Sequence, residues 1–142
     1  MARHLSLILW FGCRYLLAIL FLMAAVTKLT DLRGFSDQVI RDSGLPYRLS
    51  QVVGVVVPWL ELTCGVCLAL GLAVREAAVL LSIHLAALFV YVLTHPGPSD
   101  CRCFLFPGRE PEWAWWKPVL NAVLLLCAVY IWWPPRTDKR AR

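Results

Sequence analysis

The sequence predicts an all-α, polytopic membrane protein: a four-transmembrane-helix bundle with a short amphipathic interfacial helix in its first outer loop. Three observations predict it. The 142 residues are 60% hydrophobic and only 16% charged, against about 45–50% and about 25% in ordinary soluble domains. The apolar residues fall in four blocks, 5–27, 52–74, 77–94 and 115–133, each near the roughly 20 residues that cross a hydrocarbon core. The blocks and their connections use almost the whole chain. Residues 1–135 therefore read as a single membrane domain, with a basic tail at 136–142.

The first block reads as a retained helix rather than a cleaved signal. Arg14 interrupts its apolar run early, and no small-x-small cleavage site follows cleanly. In the connection after it, Phe35 and Val39 are spaced for one face of a helix with polar residues between, and Ser43-Gly44 before Pro46 marks its end. That segment is either an interfacial helix with a purpose or a structured linker. In the connection at 95–115, clusters of Pro and Gly forbid regular structure. Trp113, Trp115 and Trp116, and Trp132 and Trp133 at the far end of the last block, form interfacial aromatic belts.

The formal charge of +5 is spread over loops and tail, so no basic face exists for nucleic acid. The compact basic run after Pro135 suits a cytoplasmic membrane surface. Both termini are accordingly expected in the cytoplasm, which puts the 95–115 connection outside.

Three ionisable residues fall inside the apolar blocks: Arg14, Glu61 and His84. A charge at mid-bilayer costs about 2.5–3.5 kcal/mol on insertion scales. Counted from the ends of their blocks at about 1.5 Å per residue, all three reach mid-bilayer. They are expected as one intramembrane polar cluster, with Arg14 and Glu61 as an ion pair and His84 as third partner. Such a cluster is either a clasp that fixes helix register or a site for a polar head group. Lys28, at the outer end of the first helix, is expected to snorkel and to need no buried partner.

Six cysteines divide into two kinds. Cys64 and Cys67 form a CxxC in mid-helix, away from any helix N-terminus that would favour the thiolate, and are expected to be packing residues. Cys13 and Cys127 get the same reading. Cys101 and Cys103 stand in a polar loop with Arg102 between them, which favours the thiolate. They are the candidate catalytic residues. A CxC disulfide is strained and exchange-prone; a bracing disulfide or two idle thiols are the alternatives. No metal is expected, since two thiols are not a zinc set and His95 lies beyond Pro-Gly-Pro. A transporter is not supported either, for no inverted repeat is visible.

Taken in order, the early Arg14, Lys28-Leu29 with Asp31 and Phe35, Leu45-Pro46, "PWLEL" at 58–62 with Gly65, "LALGL" at 68–72 and the Asp-Cys-x-Cys-Phe run at 100–104 resemble the MauE branch of the DoxX-like four-helix membrane proteins. The resemblance covers nearly the entire chain. It implies a bacterial inner-membrane bundle that supports maturation of a disulfide-rich periplasmic dehydrogenase subunit in methylamine utilisation, beside a thioredoxin-like partner; the cofactor is left open, with a quinone as the candidate. Carried over, the loop pair is Cys101 and Cys103, and the intramembrane pair is Arg14 and Glu61. Arg102 and Leu105 replace the glycines that the family pattern favours there. The expected function is thiol–disulfide redox chemistry through the CxC loop. The alternative is a non-catalytic assembly factor whose cysteines are structural.

Overall fold

The computed structural model describes residues 2–94 and 116–133. Cys101, Cys103, Trp113, Trp115 and the tail at 136–142 lie outside the described residues.

The described residues form five helices and no strand. The first helix, α1, runs unbroken over Ala2–Thr30, with Arg14 simply one residue of its regular course. Asp31 then caps the short α2, Leu32–Asp42, by accepting from the Gly34 backbone N–H at 3.1 Å. This is the amphipathic helix expected from the sequence. It stops at Ser43, followed by Gly44 at φ +63°.

Helix α3 spans Tyr47–Leu70, beginning directly after Pro46 and so five residues before the apolar block itself. Its first turn is held down by buried Ser50, whose hydroxyl donates to the Leu45 carbonyl at 3.3 Å. Pro58 sits inside α3, where it removes the bond that the Gly54 carbonyl would have accepted. The helix ends on Gly71 at φ +77°, a left-handed cap that glycine adopts without the Cβ penalty. Helix α4, Val74–Thr94, follows at once, and α5 occupies Trp116–Trp132.

Among the described residues three helices are long and apolar enough to cross a membrane: Leu5–Thr30, Tyr47–Leu70 and Val74–Tyr91. The fourth apolar helix is the shorter Pro118–Trp132. In the bundle α1 packs chiefly on α3 and α4 on α5, while α1–α5 and α3–α4 contacts close the ring. Leu17, Phe21, Leu68, Leu81, Leu85 and Leu124 fill the interior. The outward faces are no less oily: Ile19, Val55, Ile83, Val90 and Leu126 are all exposed. Helices apolar all round belong in lipid, so this is a helical membrane bundle.

Helix α2 packs against α3 rather than standing apart from it. A Cβ on Gly54 would collide with the side chain and backbone of Ser36, so the missing side chain is what lets α2 approach so closely. That approach seats Phe35, buried in the core, beside α1.

Candidate functional site

Glu61 is the centre of the buried polar site, at 1% exposure. Its partner is Lys28, itself only 3% exposed, whose ammonium donates to both carboxylate oxygens at 2.5 and 2.7 Å. His84 Nε2 lies 3.0 Å from Oε1 of the same carboxylate. A carboxylate paired with an ammonium is an acceptor only, so the imidazole contributes its N–H through Nε2. Phe35 of α2 places its ring 5.2 Å from the Lys28 ammonium, and Phe21 meets the His84 ring edge-on at 6.2 Å between centroids. Four helices thus enclose one ion pair.

The expected pairing of Arg14 with Glu61 is not formed. Arg14 lies 14 residues before Lys28 on the same helix, about 21 Å along the axis at 1.5 Å per residue. Register explains the exchange. A Cβ on Gly65 of α3 would touch Leu22 of α1, so in this antiparallel pair Glu61 stands near the level of residue 26. Side chains of a helix lean toward its N-terminus. Lys28 therefore leans into the bundle and Glu61 leans toward the Lys28 end, and the two meet. Snorkelling, expected of Lys28, would require the opposite lean.

Arg14 has a different task. Its Nε donates to the Leu68 carbonyl at 2.7 Å and its Nη2 to that of Ala69 at 3.2 Å. These carbonyls belong to the last turn of α3, which has no intrahelical donors for them and carries the negative end of the helix dipole. The guanidinium also lies 5.0 Å from the Tyr15 ring and 5.6 Å from that of Trp10. Arg14 is a cap on α3, far from the Glu61 cluster.

Asn121 is a further buried polar residue that sequence reasoning did not assign to the site. Its amide N–H donates to the Leu85 carbonyl at 3.0 Å, tying α5 to α4 one residue from His84. An amide in the middle of an apolar block was the available signal.

Among the cysteines, Cys64 joins the hydrophobic core and Cys67 packs against it, as expected of packing residues. Cys13 and Cys127 do more than share a depth: their sulfurs are 3.4 Å apart. Among the described residues no group of three or more His, Cys, Asp or Glu could hold a metal ion.

The model of the family described as methylamine utilisation protein MauE matches residues 5–134. The chain is 35% identical over 130 residues to the methylamine utilization protein MauE of Paracoccus denitrificans, across 88% of this chain and 68% of that protein. No solved structure matches the chain.

Proposed function

Because this chain belongs to the MauE family, we propose that it serves methylamine utilisation from the bacterial inner membrane, by exchanging disulfides with an extracytoplasmic partner. Cys101 and Cys103 carry the exchange. One loop thiolate attacks a sulfur of the partner's disulfide, and the partner's other sulfur leaves as a thiolate. The second loop thiolate then displaces the partner, leaving a loop disulfide and a partner dithiol; the reverse direction runs through the same mixed disulfide. A disulfide-rich or thioredoxin-like protein has the chemistry of such a partner. Both termini are cytoplasmic in this reading.

The observation that carries the reading is that the family match, over residues 5–134, extends on both sides of the 95–115 connection that holds the two cysteines. Topology supports it. That connection joins the end of α4 to the start of α5, at the end of the bundle where α1 finishes two residues beyond Lys28. At that end of the bundle the Lys28–Glu61–His84 cluster holds three helices in register.

One observation favours a second reading, a non-catalytic assembly factor with structural cysteines: both oxygens of the Glu61 carboxylate already have partners within the bundle, Lys28 on both and His84 on one. Acid quenching and alkylation of whole cells separates the two. Exchange predicts that Cys103→Ser accumulates a mixed disulfide with the partner and that Cys101→Ser shifts the partner's redox state. Unchanged partner redox states and no captured adduct in either variant would rule exchange out.

A further inference from the structure

We propose that Cys13 and Cys127 are a second dithiol, oxidised reversibly to a disulfide that staples α1 to α5, with a lipid-soluble quinone as the electron acceptor. The proposal does not rest on exchange at the outer loop.

The two sulfurs are already in contact, at 3.4 Å. Closing that distance to the roughly 2 Å of a disulfide bond asks for about 1.4 Å of sulfur movement. The contact is not left to chance, because a second contact fixes the same seam. Tyr130 Oη lies 3.4 Å from both the hydroxyl and the backbone carbonyl of Ser6. Residues 6 and 13 are two turns apart on α1, and 127 and 130 are one turn apart on α5, so each pair shares a helix face. Two matched contacts set the register of α1 on α5 and keep the thiols opposed.

The surroundings select the oxidant. Both thiols are partly exposed rather than sealed in the core. Leu9 and Leu16 on α1 and Val123 on α5 lie three or four residues from the thiols, on the same faces, and are exposed. The way in is therefore through lipid and lined by apolar side chains. A water-borne protein thiol has no path to this seam, whereas a quinone head group carried on an isoprenoid tail fits it. The reaction balances with that acceptor alone. Both S–H bonds break, one S–S bond forms, and two electrons with two protons pass to the quinone, which becomes the quinol. Cys64 and Cys67 share one helix in an i, i+3 relation, with Cβ atoms about 5–6 Å apart against the roughly 3.5–4.5 Å that a disulfide needs. They do not compete.

The test uses the full chain in lipid nanodiscs with decylubiquinone as the probe. One sample is wild type; the other combines Cys64→Ala, Cys67→Ala, Cys101→Ser and Cys103→Ser. In the second, the quinone should remove both maleimide-reactive thiols and release one quinol per chain, with dithiothreitol restoring the thiols and Cys13→Ala preventing the change. In wild type, a peptide joining Cys13 to Cys127 should appear in the non-reducing digest. This readout decides the matter even if the combined variant does not fold. Thiols that stay reactive with no linked peptide overturn the proposal, as does closure by aqueous copper phenanthroline but not by the quinone. Because the combined variant lacks Cys101 and Cys103, its result is independent of the outer-loop exchange.

Discussion

Glu61→Gln is the sharpest perturbation of the buried site, because it keeps the shape of the side chain and removes only its charge. Lys28 is then an ammonium at 3% exposure with no counter-charge, after losing contacts of 2.5 and 2.7 Å. Breaking a buried pair by removing one partner costs about 3–5 kcal/mol. At about 1.4 kcal/mol per factor of ten, the folding equilibrium constant falls by roughly two to three and a half decades. Replacing both partners, as Lys28→Met with Glu61→Leu, should recover most of that loss, since apolar substitutes for a buried pair are often neutral or better. What remains is the orphaned His84 N–H, worth about 1–3 kcal/mol. The assay is unfolding in mixed micelles followed by circular dichroism, run as a double-mutant cycle. Lys28 and Glu61 should couple strongly, whereas Arg14 and Glu61 should add within about 0.3–0.5 kcal/mol. A near-wild-type Glu61→Gln, or coupling of Glu61 to Arg14 in place of Lys28, refutes the reasoning.

Arg14→Gln should destabilise by about 1–3 kcal/mol, since the Leu68 and Ala69 carbonyls lose their charged donor; amide exchange should rise at the end of α3 and stay unchanged around Glu61. Gly71→Ala should cost about 1–2 kcal/mol in the same unfolding assay, as a Cβ is forced into the left-handed region at φ +77°. Gly54→Val should push α2 away from α3, because Ser36 occupies the space of the new side chain. The expected cost is about 1–3 kcal/mol, with faster proteolysis between residues 31 and 46.

The fold was open to view in the sequence because a bilayer imposes a length and a polarity that few other environments do. Four apolar blocks gave four helices, and the Phe35–Val39 spacing with Ser43-Gly44 gave α2. Helix ends moved where the deciding chemistry was local: Pro46 starts α3 early, and Gly71 ends it early through backbone handedness. The buried site was half legible. Glu61 and His84 stood out as ionisable residues in oily surroundings, and they do meet. Arg14 and Lys28 exchanged roles because counting depth from block ends omits two things, the antiparallel register of α1 on α3 and the lean of side chains toward a helix N-terminus. Phe35 could not be assigned to the site at all, since its contact with Lys28 depends on the close α2–α3 approach that Gly54 permits. The contact between Cys13 and Cys127 likewise needs the α1–α5 seam, and shared depth alone does not specify which faces meet.

The central functional claim is that Cys101 and Cys103 face the oxidising side of the membrane, where they can reach a protein disulfide. Labelling of intact spheroplasts with a membrane-impermeant maleimide, after mild reduction, tests this most directly. The account predicts that both loop cysteines are modified before permeabilisation, with Cys64 in the bundle core untouched. Modification of Cys101 and Cys103 only after the membrane is opened would put them on the cytoplasmic side and contradict it.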